Sequence, residues 1–153
     1  MKIAIDGRTL EAQPGQTVLQ VARENNIYIP SLCYHPRTGK AGRCRACLVE
    51  LEGMNGLKES CALEVKDGMR VRTDTPAVLD ARRMVVELHL SGGQHDCISC
   101  QANGNCELQN MAYSLGIEHP SFVVGGEKPE SDDSSEGIIR DHGKCIQCGR
   151  CVT

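Results

Sequence analysis

Apolar and polar positions alternate from the first residues. Lys2-Ile3-Ala4-Ile5 and Arg8-Thr9-Leu10-Glu11-Ala12 have the period of two that half-buried strands show, and the Asp6-Gly7 between them is a dipeptide favoured in type I′ turns. A hairpin is therefore predicted at the start. Pro14-Gly15 ends it, and Thr17 followed by Gln20 is a capping box for a short helix with Val18, Leu19, Val21 and Ala22 inward, fading at Asn25-Asn26. Alternation returns at residues 46–51 and 69–73, with Gly53, Gly56 and Asp67-Gly68 marking turns. Together these elements predict an α+β arrangement in which one helix packs across a small sheet.

Further along, the period changes. Thr75 before Pro76 is an N-cap followed by proline at the first helical position, and Val78, Ala81, Val85 and Leu88 recur along one face. This helix should run to about Leu90, where Ser91-Gly92-Gly93 stops it. A second helix is predicted from near Asn105, with Leu108, Met111, Ala112 and Leu115 on one side and Gly116 at its end. Met69, Met84 and Met111 fall at strand or helix positions and read as core filler. Residues 127–137 are acidic and carry no large apolar side chain, which reads as surface linker. The expected organisation is a first domain over 1–75, a helical one over 76–120, a linker over 121–137 and the start of a third domain over 138–153.

Composition adds a stability problem. The 153 residues include 16 Gly, one Phe, three Tyr and no Trp, so little large apolar surface is available per residue. They also include 10 Cys, which points to covalent or metal cross-links as part of the stabilisation. Net charge is −3 and no basic block exceeds Arg82-Arg83, which argues against nucleic acid. No apolar run approaches the roughly 18 residues of a membrane span, and the start lacks the apolar core of a signal peptide. A cytoplasmic location is expected. Structural disulfides are improbable in a reducing compartment, so the clustered cysteines read as thiolate ligands.

The cysteines fall into three constellations. Cys33, Cys44, Cys47 and Cys61 follow C-x10-C-x2-C-x13-C, four thiolates of the kind a [2Fe-2S] cluster requires. Gly39, Gly42, Arg43 and Arg45 suit a loop wrapped round such a cluster. A four-cysteine zinc site is the competing reading, although zinc sites usually pair two C-x2-C hooks and only one is present here. The string from Pro30 to Cys61, Pro-Ser-Leu-Cys-Tyr-His-Pro and then Gly-Arg-Cys-Arg-Ala-Cys-Leu-Val-Glu, resembles the N-terminal [2Fe-2S] domain shared by the large iron-sulfur subunit of complex I, [FeFe]-hydrogenases and NAD-linked formate dehydrogenases. That resemblance implies a plant-ferredoxin-like β-grasp fold for the first domain.

Cys97, Cys100 and Cys106 follow C-x2-C-x5-C, one thiolate short of four, which an imidazole could complete. Asn103-Gly104-Asn105-Cys106-Glu107-Leu108-Gln109 resembles the His-ligated [4Fe-4S] segment of the same family, where the histidine usually stands four residues before the first cysteine. Here that place is Gly93, a departure from the family pattern, and the nearest histidine, His95, is the favoured fourth ligand because Gly92-Gly93 could reshape the loop. His89, Asp96, or an exchangeable water or hydroxide are the other candidates, and His95 as a plain loop histidine is the alternative to a ligand role. Cys145, Cys148 and Cys151, C-x2-C-x2-C, open a bacterial-ferredoxin motif whose fourth cysteine lies beyond Thr153. The chain therefore reads as the amino-terminal part of a longer subunit, with a partial [4Fe-4S] ligand set at its end. Zinc or disulfide chemistry is the alternative for these three.

No phosphate loop, nucleophile elbow or paired-carboxylate site is present, so the chain is expected to carry electrons rather than turn over a substrate. His35, His119 and His142 read as surface residues, His35 also as a shield for the first cluster. Arg37, Lys40, Arg43 and Arg45 would offset cluster charge or steer an acidic redox partner, or simply form a solvated loop. The resemblance implies an electron relay within an NAD(P)-linked oxidoreductase. Its expected partners are a flavin- and NAD-binding diaphorase-type subunit and a catalytic domain, either molybdopterin or tungstopterin or a hydrogen-activating cluster. The formate dehydrogenase branch is preferred from Ser91-Gly92-Gly93. A relay subunit of an [FeFe]- or NAD-reducing hydrogenase, or of a complex I-like enzyme, is the alternative within the redox class, and a zinc-organised interaction module is the alternative outside it.

Overall fold

In a computed structural model the residues described are 1–39, 42–122 and 130–152. Strands β1 (Lys2–Ile5) and β2 (Arg8–Glu11) form the opening hairpin, with Ile3 opposite Leu10 and Ile5 opposite Arg8. The turn has positive φ at both central residues, 48° at Asp6 and 78° at Gly7, as a type I′ turn demands. Helix α1 (Val18–Glu24) starts on the capping box: the Thr17 hydroxyl accepts from the Gln20 amide at 3.3 Å, and the Thr17 amide donates to the Gln20 side chain at 2.7 Å. Strands β3 (Leu48–Leu51), β4 (Leu57–Glu59) and β5 (Arg70–Arg72) complete a five-stranded sheet in the order β2-β1-β5-β3-β4. All pairings are antiparallel except β1 with β5, which is parallel.

The core lies between this sheet and α1. Ile3, Ile5, Val49 and Val71 point into it from the strands, and Val18, Leu19, Val21 and Ala22 from the helix. Each fully buried branched side chain contributes about 1.5–3 kcal/mol. The Asp6 carboxylate ties the parallel pair by accepting from the Thr73 amide at 2.8 Å and the Thr73 hydroxyl at 2.6 Å.

Two compact units divide the chain. The first comprises Met1–Arg82 and Gly149–Thr153, the second Arg83–Cys148. Helix α2 (Pro76–Ser91) contributes its first residues to the former and the rest to the latter. Its N-cap is Thr75, whose hydroxyl accepts from the Val78 amide at 3.3 Å and donates to Glu50 at 2.7 Å. The buried positions are Val78, Arg82, Val86 and Glu87, whereas Leu88 and Met84 are exposed. The expected apolar stripe through Ala81 and Leu88, and Met84 as core filler, are thus corrected: the inward face includes two charged residues.

In the second unit α3 (Glu107–Ser114) begins after Cys106, buries Leu108, Gln109, Met111 and Ala112, and ends at Leu115, followed by Gly116. Part of the expected linker forms β6 (Asp132–Ser135), paired with β7 (Ile138–Arg140) and exposed along its whole length. A short 3-10 turn, His142–Lys144, follows. Lys40 and residues 123–129 of the expected linker lie outside the described residues. Among the described residues no helix is long and apolar enough to cross a membrane.

Candidate metal centres

All ten cysteines are free. Cys33, Cys44, Cys47 and Cys61 are at most 3% exposed, brought into the first unit's interior by the loop after α1, the turn before β3 and the turn after β4. They associate in pairs. The Cys44 amide donates to the Cys33 sulfur at 3.5 Å, and Cys47 and Cys61 hydrogen-bond through their sulfurs. The Cys61 thiol holds Cys47 down to about 6 against its burial, while the same contact and burial push Cys61 up. Burial pushes Cys44 up to about 11. Cys33 also acts electrostatically on Cys61 and Cys44, which joins the two pairs into one site.

Donors converge on these sulfurs. The backbone amides of Leu32 and Ala46 serve Cys44, the Gly42 amide serves Cys61, and the Cys47 and Cys61 amides serve Cys47. Ser60 is fully buried; its hydroxyl has no well-formed hydrogen bond among the described residues, but it lies near enough to the Cys47 sulfur to favour the thiolate. Amides and a hydroxyl aimed at sulfur stabilise thiolate, yet four buried thiolates cannot persist without a compensating cation. Among the described residues no three His, Cys, Asp or Glu donors converge on a single ion. Two joined pairs ringed by N–H donors suit a binuclear cluster bearing acceptor sulfides.

In the second unit the Cys97 thiol is raised by burial and then by the charges of Cys106 and Cys100, so these three form one neighbourhood. The Gln109 side chain sets the loop between them. Buried to 3% exposure, it accepts from the Gly104 amide at 2.8 Å and donates to Asn103 at 2.8 Å and to Tyr113 at 3.2 Å. His95 is half-buried, and its Nε2 bonds the His89 carbonyl at 3.1 Å. Burial lowers its pKa against the raising effect of the His89 carbonyl, which favours the neutral ring. A Cβ at Gly93 would lie 2.6 Å from that Nε2 and 2.6 Å from the Gly143 carbonyl, so the imidazole fills the space that a side chain at 93 would need. Asp96, by contrast, is occupied by the Ser99 hydroxyl at 2.7 Å.

Cys145 and Cys148 are partly exposed in the second unit, and Cys151 is exposed in the first. In the first unit Arg150 donates to the carbonyls of Tyr34 at 3.0 Å and Ser31 at 3.4 Å. His35 is exposed, accepting from the Arg37 amide, and Arg45 pairs with Glu59. Four side chains escaped the sequence reading. Ser60, Arg82, Glu87 and Gln109 are buried polar groups, and only Gln109 sat within a motif.

Residues 1–76 match the 2Fe-2S iron-sulfur cluster binding domain, and residues 82–121 match the NADH-ubiquinone oxidoreductase-G iron-sulfur binding region. The chain therefore carries the pair of iron-sulfur domains shared by the 78 kDa-type subunit of complex I, NAD-reducing hydrogenase and related enzymes, and its cofactors are [2Fe-2S] and [4Fe-4S] clusters. It is 43% identical, over its whole length, to the HndD subunit of the NADP-reducing hydrogenase of Solidesulfovibrio fructosivorans, of which it covers 27%. To the gamma subunit of the NAD-reducing hydrogenase HoxS of Cupriavidus necator it is 36% identical, covering 99% of this chain and 64% of the relative. To the mitochondrial NADH-ubiquinone oxidoreductase 78 kDa subunit of Candida albicans it is 35% identical, covering 99% of this chain and 21% of that protein. A crystal structure of an NAD+-reducing [NiFe]-hydrogenase in the H2-reduced state superimposes with a TM-score of 0.91 at 35% identity, over 99% of this chain and 64% of that one. The chain thus spans between about a quarter and two thirds of the first two relatives. The preference for formate dehydrogenase is not supported, since these relatives are subunits of hydrogenases and of complex I-type enzymes.

Proposed function

We propose that this chain is the iron-sulfur relay of an NAD(P)-reducing hydrogenase-type complex, working in the cytoplasm. It would pass electrons between a flavin- and NAD-binding diaphorase-type subunit and a hydrogen-activating site. The observation that carries this reading is the set of four interior cysteines, at most 3% exposed, ringed by sulfur-directed donors. Identity is higher to the NADP-reducing hydrogenase subunit, 43%, than to the ubiquinone oxidoreductase subunit, 35%, which favours hydrogenase over complex I.

Cys33, Cys44, Cys47 and Cys61 would hold a [2Fe-2S] cluster in a β-grasp domain of plant-ferredoxin type. His95, Cys97, Cys100 and Cys106 would hold a [4Fe-4S] cluster, and Cys145, Cys148 and Cys151 would give three ligands to a further one. When bound, such a cluster stores and releases one electron at a time. The protein's part is to exclude water from the first site, aim N–H groups at its sulfurs and orient the imidazole at the second. Because a carbonyl only accepts, the His95 Nε2 must carry the hydrogen, which leaves Nδ1 with the lone pair a metal requires.

Anaerobic purification with iron, acid-labile sulfide and zinc analysis tests the reading. Dithionite-reduced protein should show EPR signals of both a [2Fe-2S] and a [4Fe-4S] centre. Stoichiometric zinc without labile sulfide would leave only the interaction-module alternative.

A further inference from the structure

Arg82 is a charged side chain in a place that ordinarily excludes charge. It is 5% exposed, on the inward face of α2. One guanidinium nitrogen, Nη2, donates to the Leu48 carbonyl at 2.7 Å, while the buried Nε has no hydrogen-bond partner among the described residues. Among the described residues no carboxylate forms an ion pair with it. Asp6, the first acidic group whose field it feels, already spends both carboxylate oxygens on Thr73. Burial works against its positive charge, and the largest opposing influence is Cys47, ahead of Asp6, Tyr28 and Asp74.

An uncompensated buried cation is strongly disfavoured and calls for an anion nearby. Leu48, which holds the guanidinium, directly follows Cys47. A [2Fe-2S] cluster on four thiolates is a dianion when oxidised and a trianion when reduced. We propose that Arg82 is the buried counter-charge of the [2Fe-2S] cluster, held on the Leu48 carbonyl beside Cys47 so that it stabilises the reduced state more than the oxidised one. The inference rests on the cluster being bound at Cys33, Cys44, Cys47 and Cys61.

The test compares Arg82→Lys and Arg82→Gln in the full-length chain within its complex, by EPR-monitored redox titration of the [2Fe-2S] signal. Charge is kept in the first variant and removed in the second, while both can still donate to Leu48. The expected result is a midpoint close to wild type for Lys and a clear negative shift for Gln. If Gln loses the cluster while Lys retains it, the counter-charge role also stands. An unchanged midpoint in cluster-replete Gln protein overturns it, and so do equal shifts in the two variants or loss of the cluster from both, which would make Arg82 a packing residue. Absence of any [2Fe-2S] signal from the wild type would instead refute the cluster assignment itself.

Discussion

At the scale of single residues, Gly93 and His95 form one unit. The imidazole stands where a side chain at 93 would be, so its place against the His89 carbonyl depends on position 93 lacking a Cβ. Gly93→Ala should push the ring from the His89 carbonyl, with the [4Fe-4S] EPR signal lost or altered and the [2Fe-2S] signal intact. Unchanged spectra of both centres would detach His95 from the cluster. Ser60 offers a finer probe. Hydrogen bonds to cluster sulfurs favour the reduced state, so Ser60→Ala should lower the [2Fe-2S] midpoint while changing stability by no more than about 1 kcal/mol. A midpoint that stays put would deny the hydroxyl its role at Cys47.

Among elements, those with a local signature were legible. The Thr17/Gln20 box, the Asp6-Gly7 turn and the Thr75-Pro76 start all lie where the sequence pattern placed them, because each is decided by neighbours within a few positions. The shortfalls have one cause. Leu57-Lys58-Glu59 and Asp132–Ser135 become strands through pairing partners, not through apolar content, and a pattern of apolar positions cannot register them. The same blindness hid Arg82 and Glu87, which any apolar stripe assigns to solvent. For the candidate sites, spacing grouped the cysteines into constellations but gave no sign of the buried polar groups around them.

Two measurements belong to this scale. Thr17→Ala removes a cap and should cost about 1 kcal/mol, seen as a lower melting temperature of the first unit. Gln109→Leu keeps the volume inside α3 but drops two hydrogen bonds to the cysteine loop and one to Tyr113. It should leave helical circular dichroism unchanged and deplete iron from the second centre. Full iron content would show that the loop holds its shape without Gln109.

For the whole molecule, the second unit is tied together by a carboxylate. Glu87 accepts from the Ser121 amide at 3.1 Å, and bonding to Ser121 holds its pKa below the usual 4.5. A depressed folded-state value means stabilisation that is complete above pH 4.5 and lost as pH falls through the lower, folded value. Hydrogen exchange at the Ser121 amide should therefore be slower in wild type than in Glu87→Gln above that pH, with the gap closing on acidification. A gap independent of pH would contradict it.

The parallel pairing of β1 with β5 also governs when this chain can become a folded object. Asp6 and Thr73 stand 67 residues apart, and the four interior cysteines all fall between them. During synthesis the amino-terminal hairpin leaves the ribosome first, but it cannot be locked in place until the segment near Thr73 emerges. The intervening thiols are thus released together as an open loop before the interior closes on them. A cluster held by these cysteines would be expected to load most readily in that interval, before the long-range contacts of the sheet form.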